Sequence, residues 1–188
     1  MSDFVNTVDI IGDEALTNSI IDRSITEIKD NNVTLCKNNA FSGCTSLTTV
    51  NLPAVKSILT TSFIDCTSLT IVNFPEVTSI GLNAFNNCTS LTTVNFQKVT
   101  RIDQRSFSEC SKLTTADFPE VTSIGDYAFE KCTSLTTFTF KSTPTISSYV
   151  FSNCPNLTTI NVPWAEGEVA NAPWGATNAT INYNYTGE

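Results

Sequence analysis

Six cysteines, Cys44, Cys66, Cys88, Cys110, Cys132 and Cys154, each follow the last by 22 residues. A period of that length, held through most of a chain, marks stacked supersecondary units: one unit alone cannot bury its apolar face, but its copies can bury it against one another. Other columns keep the same step. Three residues after each cysteine stand Leu47, Leu69, Leu91, Leu113, Leu135 and Leu157; eight after stand Leu52, Phe74, Phe96, Phe118, Phe140 and Val162. An isoleucine column runs through Ile58, Ile80, Ile102, Ile124 and Ile146, and a phenylalanine column through Phe41, Phe63, Phe85, Phe107, Phe129 and Phe151.

The columns fade at both ends. From Asp22 to Gly43 a weakened unit keeps Ile25, Ile28, Val33, Ala40 and Phe41 in place and puts Cys36 in the isoleucine column. Before it, Ile11 to Leu16 echoes Ile124 to Phe129 with a three-residue insertion. After Val162 the rhythm breaks at Pro163-Trp164 and Pro173-Trp174, and Ala179 to Tyr185 alternates apolar and polar residues as a closing strand would. The spacing therefore predicts an N-terminal cap with a half-repeat over 1–21, repeats over 22–162 and a C-terminal cap over 163–188.

Within a unit, Leu-x-x-Val-x-Leu/Phe with Thr between suits a short β-strand. Proline often follows (Pro53, Pro75, Pro119, Pro163) and stops it, having no N–H for a ladder. The stretch Gly-x-x-Ala-Phe-x-x-Cys leaves room for about one helical or 3₁₀ turn. Units stacked in register would form a parallel sheet with strands about 4.8 Å apart, closing right-handedly. The fold class expected is α/β: a right-handed leucine-rich-repeat solenoid, with a parallel sheet on the concave face and short helical or 3₁₀ turns on the convex face.

The unit C-x-x-L-x-x-V-x-L/F-P-x-x-V-x-x-I-x-x-x-A-F-x-x-C resembles the BspA-like class of leucine-rich repeats from about Asp22 to Val162. The resemblance implies a curved solenoid of the kind found in bacterial surface adhesins, gut-bacterial proteins and phage or prophage proteins. The terminal PWGATNATINYNY is also similar to the closing segment of prophage-associated members.

Chemistry is sparse. The chain has no histidine, so neither Ser-His-Asp nor Cys-His arrangements can be assembled. Asp103, Glu109, Asp117, Glu120, Asp126 and Glu130 are scattered over variable columns, which reads as a solvated face rather than a paired-carboxylate site. The cysteines would lie about 5 Å apart along the stack, within disulfide reach, but every one has equivalent neighbours on both sides. A free thiol filling a small apolar slot is the simpler reading, beside disulfides and metal. No enzyme activity and no cofactor are expected.

The more informative surface is the strand face. Alternation turns Thr49, Ile71, Thr93, Thr115, Thr137 and Thr159 outward, with Asn51, Asn73, Asn95, Asp117, Thr139 and Asn161 beside them. That grid is a candidate for binding a protein or glycan, although threonine is also simply a good exposed strand residue. Trp164, Trp174, Tyr183 and Tyr185 allow either an aromatic sugar platform or a lid on the core. A net charge of −8 disfavours nucleic acid and anionic membrane surfaces, and no apolar run approaches membrane-spanning length. No secretory signal is visible at the start, yet an extracellular, cell-surface or virion-associated place is expected. Function is thus expected to be adhesion or recognition, the alternative being a structural spacer or virion decoration without its own ligand. Ice or mineral templating by the threonines is disfavoured by Ile71 and Asp117.

Overall fold

The computed structural model describes residues 23–187, so the half-repeat expected over 1–21 lies outside the described residues. Six coils each contribute one three-residue and one two-residue strand, the last two only a three-residue strand, and both kinds stack in parallel on their copies. The three-residue strands are β1 (Glu27–Lys29), β3 (Thr49–Asn51), β5 (Ile71–Asn73), β7 (Thr93–Asn95), β9 (Thr115–Asp117), β11 (Thr137–Thr139), β13 (Thr159–Asn161) and β14 (Thr180–Asn182). They pair as β1-β3-β5, β7-β9 and β11-β13-β14. Register follows the period, Val50 facing Val72 and Phe138 facing Ile160. The closing strand keeps its place with one residue fewer, Ile160 facing Ile181.

A second sheet was not foreseen. The two-residue strands β2 (Leu35–Cys36), β4 (Ser57–Ile58), β6 (Ser79–Ile80), β8 (Arg101–Ile102), β10 (Ser123–Ile124) and β12 (Thr145–Ile146) form one uninterrupted six-stranded sheet. The isoleucine column is its buried side, with Ile58, Ile80, Ile102 and Ile124 at most 2% exposed.

The helical or 3₁₀ turns expected on the return arc are absent among the described residues. In the arc Gly81 to Cys88, the N–H groups of Ala84, Asn86 and Cys88 close i→i+3 turns onto Gly81, Asn83 and Phe85, each at 3.2 Å. Those of Asn83, Phe85 and Asn87 instead reach the next coil, onto Gln104, Ser106 and Ser108 at 2.8–3.1 Å. Alternate donors thus serve the turn and the stack, whereas a helix spends consecutive donors on itself. Two left-handed residues in each of the first five arcs, such as Asn83 (φ 54°) and Asn87 (φ 59°), and Asn153 (φ 58°) in the sixth enforce this. Asparagine tolerates that region well, but Thr61 (φ 55°) and Tyr127 (φ 59°) also hold it, at a cost of roughly 1–2 kcal/mol.

Between the sheets and the arc lies a single apolar core. Phe41, Phe63, Phe85, Phe107, Phe129 and Phe151 stack with centroids 5.1–5.8 Å apart and planes within 20°. A second file, Phe74, Phe96 and Phe118, runs beside it at 5.7–6.2 Å. Rings of the two files meet tilted by 46–60°. At the far end Trp164 and Trp174 are buried over Phe140 at 5.4 and 5.6 Å, and the Trp174 Nε1–H donates to the Ala170 carbonyl at 2.9 Å. The tryptophans are therefore a lid and not an exposed sugar platform.

Because each ring touches both files, Phe96→Ala is expected to lower unfolding stability by about 3–5 kcal/mol in denaturant titration. Thr61→Asn should do the opposite. Relief of left-handed strain at a β-branched residue is expected to raise stability by about 0.5–1 kcal/mol, less whatever the hydroxyl bond to Asn39 contributes.

Candidate functional site

The Thr-Val-Asn strands place the middle residue in the core and the outer two on one face, since strand side chains alternate. Thr93, Thr115 and Thr137 are exposed, Thr49 and Thr159 half-buried. Ile71 stands among them 58% exposed, the most open large apolar side chain among the described residues. In the second column Asn73 and Asn95 are exposed, and Asn51, Asp117 and Thr139 half-buried. Asn161 departs from expectation. It is 7% exposed, because β14 covers it and Asn182 Nδ2 donates to its Oδ1 at 2.8 Å.

The two columns differ in what they leave available. The second bonds to itself: Asn73 Nδ2 donates to Asn51 Oδ1 at 2.7 Å and Asn161 Nδ2 to Thr139 Oγ1 at 3.1 Å. Gln97 Nε2 donates both to Asn95 Oδ1 and to Asp117 Oδ2, the latter at 3.2 Å, and Lys141 Nζ pairs with Asp117 Oδ1 at 2.9 Å. In the first column the hydroxyls of Thr93, Thr115 and Thr137 have no intramolecular partner among the described residues. The face therefore offers a row of free hydroxyls beside a braced amide row.

Gln97 and Lys141 were missed as site residues, although the sequence carried a signal. They occupy the column that elsewhere holds Pro53, Pro75, Pro119 and Pro163. Where the proline is replaced, a long polar side chain reaches back over the sheet, and both converge on Asp117. On the return arc, Arg105 lies 5.1 Å over the Tyr127 ring, which stacks on Tyr149 at 5.4 Å. Of the scattered acids, Asp103, Glu109, Asp117 and Glu130 are taken up in ion pairs, and some pairs reach a residue one coil away, such as Glu109 with Lys131 and, elsewhere, Glu76 with Lys98, both at 2.6 Å. Among the described residues no group of three or more His, Cys, Asp or Glu could hold a metal ion.

All seven cysteines are free and buried. From Cys66 to Cys154, each thiol of the periodic file donates to the carbonyl of the phenylalanine 25 residues earlier at 3.0–3.3 Å, Cys88 onto Phe63 for example. The same carbonyl accepts the N–H of the cysteine in its own coil, as Phe63 does from Cys66 at 3.3 Å. The thiol thus fills a small apolar slot and supplies a weak donor to an acceptor with a spare lone pair. Burial pushes these thiols up, to about 12 for Cys110 and about 11 for Cys154. At Cys44 burial also raises the thiol, opposed by Arg23.

A family model described as the BspA type leucine rich repeat region, in six copies, matches residues 2–114 and 56–171. The chain belongs to the BspA-type leucine-rich-repeat family. Two solved structures of leucine-rich-repeat proteins share the fold. The T. pallidum leucine rich repeat protein is 30% identical, with a TM-score of 0.62 over 69% of this chain and 65% of its own. A leucine rich cell surface protein from Faecalibacterium prausnitzii is 36% identical, with a TM-score of 0.68 over 73% of this chain and 39% of its own. The chain thus spans less than two thirds of either protein. Comparison with curated protein sequences finds no match.

In this BspA-type chain the cysteine file predicts a pH effect. A thiol raised by folding favours the protonated native state, so its stabilisation is complete below the unfolded thiol's range and is lost as pH rises toward the folded value. Thermal stability should hold to about pH 8.5 and then fall, each thiol contributing up to about 1.4 kcal/mol per pH unit. The slope should be shallower in Cys110→Ala, and iodoacetamide at pH 8 should label the native protein far more slowly than the unfolded chain.

Proposed function

We propose that this chain is a non-catalytic recognition module that binds a protein or glycan through the face of its three-residue strands, displayed at a bacterial surface or phage tail. One observation carries the reading: Ile71, 58% exposed, sits in a row of unpaired threonine hydroxyls on a backbone held by inter-coil hydrogen bonds. An exposed apolar anchor ringed by free polar groups is the arrangement that interfaces use. It excludes water at the centre and satisfies hydrogen bonds at the rim. The braced second column keeps the surface preorganised, so association costs little ordering entropy.

Two further points agree with this. The chain lacks histidine, and Glu76, Asp103, Glu109, Asp117 and Glu130 are engaged in ion pairs, which leaves few groups with which to build a general base. One structural relative carries the name of a cell surface protein.

Protein and glycan arrays probed with the full chain test the proposal. A ligand is expected whose affinity falls at least about tenfold in Ile71→Asp, the equivalent of about 1.4 kcal/mol. It should fall further when Thr93, Asn95 and Thr115 are together replaced by glutamate or lysine. A ligand bound equally by these variants, or no ligand on either array, would instead mark the chain as a spacer.

A further inference from the structure

The strand face ends in a cleft, and the inference drawn from it deepens the recognition role above and rests on it. Beyond β11 the chain continues through Phe140 and Lys141, beyond β13 through Pro163, and beyond β14 through Asn184 and Tyr185. These segments enclose an open cleft of about 610 Å³, within the range of about 300–1,000 Å³ usual for small-molecule sites. Its walls are held in place. The Tyr185 N–H donates to the Val162 carbonyl at 2.9 Å and that of Asn184 to Trp164 at 3.0 Å. Phe140, backed by both lid tryptophans, forms the buried floor.

The lining combines two chemistries. Tyr185 and Pro163 supply an apolar wall, while Lys141, its side chain 52% exposed, lines the mouth and is held at 2.9 Å by Asp117, which lies outside the lining. Thr139 Oγ1 accepts from Asn161, which leaves its own O–H free to donate, and the Asn184 amide is exposed. A ligand suited to this site has one face of C–H groups and a rim of hydroxyls. An anion would have to compete with Asp117 for Lys141 under the field of a chain of charge −8. A wholly apolar ligand would cover the polar mouth without satisfying it, at a cost in desolvation. A pyranose meets both demands, its C–H face on Tyr185 and its hydroxyls shared between the Lys141 ammonium and the Thr139 hydroxyl.

We propose that this cleft binds a neutral hexose or N-acetylhexosamine unit of a glycan, with Tyr185 as the stacking surface and Lys141 and Thr139 as the hydroxyl-reading pair. Saturation-transfer NMR of the full chain tests this, with glucose, galactose, mannose, N-acetylglucosamine and their disaccharides as probes. At least one sugar should show transfer concentrated on the protons of one ring face. Its affinity should fall at least about tenfold in Tyr185→Ala and in Lys141→Met, and be retained in Tyr185→Phe. An unchanged melting temperature in each variant separates loss of the site from loss of the fold. Absence of transfer from every sugar, or equal binding by Tyr185→Ala and Lys141→Met, overturns the cleft assignment. The face is read separately through Ile71→Asp. An array ligand lost in that variant, with no sugar bound, defeats the cleft and leaves the wider recognition role standing.

Discussion

Backbone hydrogen bonds between coils are the interaction on which the structure depends. Each coil presents N–H and C=O groups to its neighbour in both parallel sheets and, through alternate residues, along the return arc. Because the step is 22 residues, the bonds are made in register only if like residues lie over like, as Ile58 over Ile80 and Asn51 over Asn73. The same condition that satisfies the backbone builds the phenylalanine files, the thiol–carbonyl bonds and the amide rungs. A buried backbone group left without its partner would cost about as much as the side-chain contacts contribute, so neither level can slip without the other.

Threonines outside the face use this regularity directly. Thr48, Thr70, Thr114 and Thr158 donate their hydroxyls to the carbonyl of the equivalent threonine one coil earlier or of its counterpart in the first unit, at 2.8–3.4 Å. A second series, Thr78, Thr100 and Thr122, does the same at 2.9–3.2 Å. These hydroxyls are consumed by the stack. Those of Thr93, Thr115 and Thr137 project from the strand face, where no carbonyl of the neighbouring coil lies in reach, and they stay free for a partner. Two threonines in one Leu-Thr-Thr motif therefore do different things, and their places relative to the strand decide which.

A stack must end somewhere, and at its C-terminal end the aromatic files are closed by Trp164 and Trp174, the latter completely buried. This lid also stiffens what surrounds it. Phe140 packs against both indoles and, with Pro163 and Tyr185, turns the end of the strand face into a cleft. The two polar replacements in the proline column have a related effect. Gln97 and Lys141 brace Asp117 from either side, so a carboxylate that would otherwise move freely is held at the border of face and cleft.

Period and alternation, both local properties of the chain, determined much of this protein. They assigned Leu, Val, Phe, Ile and Cys to buried files, identified a parallel stack and turned Thr93, Asn95 and Thr115 outward. They also placed a closing strand after the second tryptophan. Four things were settled only in three dimensions. The return arc is not helical, because left-handed residues divide its donors between turn and neighbouring coil, and that division exists only once a neighbour is present. The isoleucine column carries a sheet of its own for the same reason. Asn161 is buried because β14 lands on it after a coil shorter by one residue. Asp117 is braced because side chains 20 and 24 residues distant arrive from adjacent coils. A repeat states which residues will be equivalent, but the contacts between successive coils decide which of them remain available to anything else.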